Sequence, residues 1–531
     1  MRPAAALIII LTACALSAHA RIIYVDDDAP PGGDGFSWAM AYTYLQDALA
    51  AADRLPKPVE VRVAQGVYRP DRSSANPGGT GDRLATFPLL DNVAMRGGFA
   101  GVAAPDPNVR DVVLYETILS GDLAGDDIPV LDPRDLRTEP TRADNARTLI
   151  TGGRCSRSAV VDGLTISSCA NPTLIRTTPG AVSLSDRDGP CCPSIRNCTF
   201  VGTDGAAIYI DEAEPEIANC TFLRNRGTGG GAVTINTSLY VTSPLVIKDS
   251  TFAENYAASG GGAISGDRFT IERCTFVRNS AEAGGAIYCS MTATMINCLF
   301  IHNTAEEAGG AIYFGRPGIT VTSCTFSNNV APAGNALACL LPYFETIPPP
   351  FATIANTILW DEGDEIHVTE HAEMNLTYSN IRGGWPGEGN IDVDPCFAEL
   401  SRWDPNGTPG DPQDDFWVEG DYHLKSRAGR WDPNSQSWVK DDVTSPCIDA
   451  GDPTAPIGHE PFPTGGIVNM GAYGGTPEAS KAYFGAEPCE TIYAGDVNGD
   501  GKVDFKDLQI MALQWHPISD SDGSQDEPPG R

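Results

Sequence analysis

Cys274-Thr275-Phe276-Val277-Arg278-Asn279, Cys298-Leu299-Phe300-Ile301-His302-Asn303 and Cys324-Thr325-Phe326-Ser327-Asn328-Asn329 are three copies of one unit. Between them stand Gly284-Gly285-Ala286-Ile287 and Gly309-Gly310-Ala311-Ile312. Working outward, Phe-x-x-Asn recurs at Phe222/Asn225 and Phe252/Asn255, and Phe200 opens a sixth copy with Thr203 in place of the Asn. From Phe222 onward the Phe spacings are 30, 24, 24 and 26. Two residues before each Phe comes Cys198, Cys220, Ser250, Cys274, Cys298 or Cys324. The Gly-Gly-Ala-Ile element returns at Gly261 to Ile264, with a close variant at Gly230 to Val233 and a weaker one at Gly334 to Leu337.

A repeat of this kind is the signature of a solenoid, in which each unit buries its apolar face only against its neighbours. The short segments Cys-Thr-Phe and Ala-Ile-Tyr alternate, so Cys and Phe share one face and Thr takes the other. A period near ~24 residues fits three short strands and three turns, one coil of a parallel β-helix with coils ~4.8 Å apart. Equivalent residues then stack, Phe on Phe and Ile on Ile in the interior. Asn on Asn forms a ladder at a turn, where Asn also tolerates a left-handed backbone. The Gly pair supplies corners free of side chains. The Cys column reads as small buried hydrophobes, and no His stands at metal-ligand spacing from it.

Degenerate coils extend the pattern. Val161 to Ile166 looks like an earlier one, and Asn356 to Trp360 and Tyr378 to Ile381 like later ones. Trp38 to Ala52 has helical spacing through Tyr42, Leu45, Leu49 and Ala52, and is expected to cap the open N-terminal end, which would otherwise expose strand edges. The helix is expected over residues 38–52 and the solenoid over roughly 58–480.

The chain has 531 residues and is acidic, with 69 Asp and Glu against 36 Lys and Arg, net −33. That balance argues against nucleic acid, whose binding requires phosphate neutralisation. An acidic polymer would need bridging calcium or a local basic patch. Arg2, the apolar run Ala4 to Leu16 and Ala18-His19-Ala20 form a signal-peptide pattern, with cleavage expected after Ala20. Leu11-Thr12-Ala13-Cys14 also fits a lipobox, giving lipidation at Cys14 as the alternative. The expected location is therefore secreted or cell surface. No other apolar run reaches the ~18 residues of a membrane span. The division expected is a signal peptide over residues 1–20, a β-helix domain over 21–485 and a calcium-binding tail over 486–531, in a monomeric all-β protein. The 15 Cys include Cys14 and are too sparse for a disulfide scaffold, and no pairing follows from the sequence.

The tail carries Asp496-Val497-Asn498-Gly499-Asp500-Gly501-Lys502-Val503-Asp504-Phe505-Lys506-Asp507. Asp496, Asn498, Asp500, Asp504 and Asp507 place oxygens at loop positions 1, 3, 5, 9 and 12, Lys502 offers its carbonyl at 7, and Gly501 turns the chain at 6. That is the EF-hand arrangement for one Ca²⁺. With Asp at position 12, and Leu508, Met511, Ala512 and Trp515 spaced along one helical face, the tail resembles a type I dockerin. A complete dockerin has two such loops; this tail has one. The resemblance implies calcium as cofactor and a cohesin-like or surface-anchoring partner.

The Phe-x-x-Asn and Gly-Gly-Ala-Ile copies resemble the polymorphic outer-membrane-protein repeat of chlamydial surface proteins. With Tyr24-Val25-Asp26, Val63 to Tyr68 and Ile118 to Asp122, the body resembles the secreted, pectin-lyase-like right-handed β-helix proteins abundant in planctomycetes. Ser445 to Asp452 and Asn469 to Tyr473 resemble their choice-of-anchor segment. The likeness implies a right-handed parallel β-helix but no single activity, since this fold hosts lyases, hydrolases and adhesins. The pectate-lyase motifs Arg-x-Pro-x-x-Arg and Trp-Ile-Asp-His and the polygalacturonase motifs Asn-Thr-Asp, Gly-His-Gly and Arg-Ile-Lys are absent from the sequence. Catalytic residues are therefore unassigned. Asp211, Glu212 and Glu214 read as solvated turn acids, His423 as a strand residue. Trp360, Trp385, Trp403, Trp417, Trp431 and Trp438 read as packing residues of the C-terminal loops, with sugar stacking as the alternative. Two functions stand: an exported protein that binds polysaccharide or a surface partner without cleaving it, or a polysaccharide lyase or glycoside hydrolase of diverged motif.

Overall fold

The computed structural model describes residues 20–171, 180–187, 189–237, 244–315, 318–340, 349–407, 416–483, 497–498 and 502–513. Residues 1–19 of the expected signal peptide, which include the lipobox, and Trp515, Asp496 and Asp500 lie outside them.

The repeat folds as a right-handed parallel β-helix. Each coil contributes one strand to each of three parallel sheets. Sheet 1 has 12 strands, from Arg21–Val25 to Glu373–Thr377; sheet 2 has 11, from Gly66–Tyr68 to Asn380–Ile381; sheet 3 has 10, from Phe87–Pro88 to Ile366–Val368. A short sheet of 4 strands, Arg226–Gly227, Tyr256–Ala257, Ser280–Ala283 and Thr304–Ala308, lies between sheets 2 and 3 in the chain path.

Register follows the repeat. Phe200, Phe222, Phe252, Phe276, Phe300 and Phe326 pair one above another in sheet 2. Their rings stack with centroids 4.8, 4.7, 4.8, 4.9 and 4.6 Å apart, all fully buried. Each buried Phe contributes roughly 1.5–3 kcal/mol relative to an exposed one. Ile264, Ile287 and Ile312 stack likewise in sheet 3. At the corner before them Gly284 and Gly309 have φ +68°. A Cβ on the adjacent Gly285 would lie 2.1 Å from the Gly310 carbonyl.

The Asn column forms the ladder expected. Asn225, Asn255, Asn279, Asn303 and Asn329 are fully buried, and each Nδ2 donates to the next side chain along at 2.9–3.0 Å, the last to Asp361 Oδ1. Thr203 closes the other end by donating to Asn225 Oδ1 at 2.9 Å. The left-handed backbone expected at these Asn residues lies one position earlier. Arg224, Glu254, Arg278, His302 and Asn328 carry φ of 50–57°. The turn sends that preceding side chain outward. The Asn then points inward and its Nδ2 donates to the Phe carbonyl of the coil before, as Asn279 does to Phe252 at 2.9 Å.

The N-terminal cap is shorter than the 38–52 helix expected. Helix Leu45–Arg54 buries Leu45, Ala48, Leu49 and Ala52, while Trp38–Met40 forms a separate single turn. Tyr42 is extended because it pairs with the first strand: its N–H donates to Tyr24 O and its carbonyl accepts from Asp26 N, both at 2.9 Å. That strand, Arg21–Val25, starts sheet 1 well before residue 58. At the other end strand stacking stops at Ile381, not near residue 480. Residues 397–439 form three antiparallel pairs, and 445–482 pack without strands against sheet 2. Pro446, Pro453, Pro456, Pro461, Pro463 and Pro477 remove the N–H donors a further rung would need. Phe397, Tyr422, Leu424, Cys447 and Met470 instead cover Val277, Ile301 and Ile358 on the outer face.

Candidate functional site

The left-handed turn residues set up the site. One coil apart, Arg224, Glu254, Arg278 and His302 form an outward row beside the Asn ladder. Glu254 is bridged by Arg224 and Arg278. Beyond this row, Arg226, Tyr256, Ser280 and Thr304 align across the short sheet. The first row, with Ser280 and Thr304 of the second, floors an open cleft of about 740 Å³.

Its walls come from distant segments. One is the insertion at 121–146, with Leu131, Pro133 and Arg134 at the rim. Its two helical turns, Pro133–Arg137 and Pro140–Asp144, are capped by the Asp132 and Glu139 side chains. The insertion is fixed to the coils by buried Asp204, which accepts from Arg137 Nε and Nη2 at 3.1 and 2.9 Å and from Arg226 Nη1 at 2.9 Å. Arg142 holds it further, donating to the Cys169 and Gly202 carbonyls. The opposite wall is the pair Arg402–Asp404 and Phe416–Val418, in which Trp403 sits directly opposite Trp417. These rings meet edge to face, 5.5 Å apart.

Arg278 joins floor to wall. Its guanidinium lies 4.6 Å from the Trp417 ring centre and 5.3 Å from that of Trp403. Burial lowers its pKa from the ordinary arginine value. His302 meets Trp417 edge-on at 4.8 Å, and burial followed by the Arg278 charge lowers its pKa, favouring neutral imidazole. Tyr256 has the guanidiniums of Arg134 and Arg226 at 5.3 and 5.8 Å from its ring centre. Trp403 remains 57% exposed. Among the described residues, Arg278 Nε and Trp417 Nε1, and outside the cleft lining Arg226 Nε and Arg137 Nη1, are buried donors with no acceptor. Such atoms are costly unless a ligand or solvent completes them. The cleft thus offers aromatic faces, cations and hydroxyl groups, the ingredients of a site for a polar ligand with flat apolar faces.

Of the residues read as packing, Trp403 and Trp417 line this cleft, whereas Trp431 and Trp438 pair with each other, with Lys481 3.9 Å above Trp438. His423 is a buried strand residue: Nδ1 lies 2.6 Å from Asp421 Oδ1 and the ring stacks on Tyr473 at 3.6 Å. Asp211 is bound by Arg187 and by Asn236 Nδ2, a structural ion pair outside the cleft. Asp26, Asp27 and Asp28 converge, as do Asp122, Asp126 and Asp144. Asp26, Asp27 and Asp122 accept backbone N–H groups from Val102, Val67 and Gly125, as loop clamps do. In the tail, Asn498, Lys502, Asp504 and Asp507 are described. Asp507 accepts from the N–H of Val497, Asn498 and Asp504 at 2.8, 3.2 and 2.7 Å, so the position-12 side chain folds across the loop. Helix Phe505–Leu513 follows, with Leu508 and Met511 exposed.

The family model of the right-handed β-helix region matches residues 154–340, the coils that carry the Phe and Asn columns. A model described as disaggregatase related matches residues 373–451. Two solved structures are similar. A pectate lyase, Pel9A, has 10% identity, covers 86% of this chain and 96% of its own, and has a TM-score of 0.40. A hyperthermoactive exopolygalacturonase from Thermotoga maritima has 14% identity, covers 70% and 84%, and has a TM-score of 0.31. No curated protein matches the chain.

Proposed function

We propose that this is an exported protein that binds a polysaccharide strand in the cleft between the 121–146 insertion and the Trp403–Trp417 wall, without cleaving it. The observation that carries the reading is Trp403, an exposed indole at the rim of a cleft that Arg134, Arg224, Ser280 and Thr304 also line. A sugar ring can stack on the indole while its hydroxyls bond to those polar side chains. Glycoside hydrolysis calls for two carboxyl groups flanking the bond, one of them a proton donor. Among the described residues that line the cleft, the carboxylates are Glu254, bridged by two guanidiniums, and Asp132, which pairs with Arg134 on the surface. The carboxyls whose pKa burial raises most, Asp361, Glu365, Asp449 and Glu460, are not among its lining residues.

The one-loop tail is proposed to bind one Ca²⁺ through Asp496, Asn498, Asp500, Asp504, Asp507 and the Lys502 carbonyl. A helix with exposed Leu508 and Met511 supports attachment to a cohesin-like or surface partner. For the cleft, binding of the full chain to neutral polymers, pectate and alginate is measured beside the Trp403→Ala and Trp431→Ala variants. Loss with Trp403→Ala alone supports the site; equal binding by all three proteins removes it.

A further inference from the structure

Five of the eleven buried thiols among the described residues donate to carbonyl oxygens beside their own strand. Cys198, Cys220, Cys274, Cys298 and Cys324 each donate to the carbonyl two residues before, at 3.1–3.4 Å. Cys155 and Cys191 are arranged differently. They occupy neighbouring coils at the turn from sheet 3 to sheet 1 and face each other as a parallel bridge. Both are buried, and their sulfurs lie 3.2 Å apart. The register continues through Cys192 N–H to Cys155 O and Glu214 N–H to Cys191 O, which puts Ala213 next in the column. Two paired rungs ~4.8 Å apart fall inside the ~4.4–6.8 Å window of Cα separations that a disulfide spans.

Access comes from one side. Cys155 and Cys192 line an open cleft of about 880 Å³ together with Arg154, Arg157, Ser156 and Asp91. Arg154 and Arg157 in that lining draw in an anionic oxidant, while burial and the Asp91 charge act against the Cys155 thiolate. The hydrogen bond with Cys191 lowers the Cys155 pKa below the ordinary thiol value.

We infer that Cys155 and Cys191 form a disulfide between adjacent coils, made by exchange with a small-molecule or protein disulfide. The Cys155 thiolate attacks one sulfur of the oxidant, breaking its S–S bond and releasing one thiol. The Cys191 thiolate then attacks Cys155 Sγ and displaces the second. The two protein thiols lose two protons and two electrons, and the oxidant leaves as two thiols. The link ties the coil that starts near residue 150 to the next one without moving a strand. The thiols of the sheet 2 column are buried and donate to carbonyl oxygens of their own coil, four of them also to the preceding coil, so that column is expected to stay reduced.

The test uses the full chain, reduced and then equilibrated with glutathione disulfide. Free thiols are alkylated in the folded state, and non-reducing peptide maps are read by mass spectrometry. The expected result is a linked pair of peptides holding Cys155 and Cys191, lighter by two hydrogens. Cys198, Cys220, Cys274, Cys298 and Cys324 should be alkylated only after unfolding. Cys192→Ser should retain the link and Cys155→Ser should abolish it. Recovery of Cys155 and Cys191 as free thiols, a stable glutathione adduct on Cys155, or a link from Cys155 to Cys192 would each overturn the assignment.

Discussion

Replacing Asn279 with Ala removes a side chain that makes four buried hydrogen bonds. Its Nδ2 donates to Phe252 O and to Asn303 Oδ1, both at 2.9 Å; its Oδ1 accepts from Asn255 N and Asn255 Nδ2, at 3.0 and 2.9 Å. Asn255 Nδ2 keeps its second bond to Phe222 O, and Asn303 Oδ1 still accepts from the Asn279 N–H. The group stranded outright is the backbone N–H of Asn255. A stranded buried donor costs about 1–3 kcal/mol, and two half-satisfied partners add to that, so ~2–4 kcal/mol is expected. For a body of this length unfolding as a unit, that is a fall of roughly 3–6 °C in Tm. Asn279→Asp refines the test. One oxygen still accepts from Asn255, but the other meets two acceptors, Phe252 O and Asn303 Oδ1. A proton on that oxygen restores a donor, so its folded-state pKa must rise. The Asp variant should then be most stable in acid and lose stability as pH climbs. Differential scanning calorimetry across pH reads both variants. An unchanged Tm for Asn279→Ala would refute the ladder as a source of stability.

The end of that ladder gives a second outcome. Burial, as the largest cause, raises the pKa values of Asp361 and Glu365 to about 7 and about 9. Their unfolded values are lower, so stability is fullest in acid and declines as pH rises from about 4 through about 9. Glu460, raised to about 7, and Asp449, raised to about 6, act in the same direction. Tm should therefore fall across that window, and Glu365→Gln should flatten the decline; a Tm that climbs through it contradicts the buried pair. In the tail, chelation should make the segment after residue 490 protease-sensitive while the β-helix resists, and Asp500→Ala should mimic chelation. Calorimetry of the full chain showing no heat on adding millimolar calcium, against that of Asp500→Ala, would remove the metal site.

The body was legible because one repeat fixes one coil. Phe276 above Phe252 and Asn279 above Asn255 follow from spacing alone, since a shifted register would expose rings and strand amides. The helix boundary was less legible, because Tyr42 has helical spacing to Leu45 yet is claimed by Tyr24 and Asp26 as a strand partner. The cleft was hidden for a different reason. Arg224, Glu254, Arg278 and His302 look like variable turn residues, and only the left-handed turn before each Asn reveals them as an outward row. Their partners Trp403 and Trp417 stand far downstream, on a wall outside the repeat. The alternation in Arg402-Trp403-Asp404 and Phe416-Trp417-Val418 was the available signal, read as packing. Cys155 and Cys191 were likewise obscured, since neither sits in the Cys-Thr-Phe unit.

The most direct measurement of the central claim is a crystal structure of the chain with the oligosaccharide it binds best, grown at concentrations that saturate binding in solution. The account predicts an intact glycan over the Trp403 indole, its hydroxyls bonded to the polar side chains of the same cleft, among them Arg224, Ser280 and Thr304, with no shortened product in the mother liquor. A glycan on another face, or cleaved fragments in the same cleft, would contradict it.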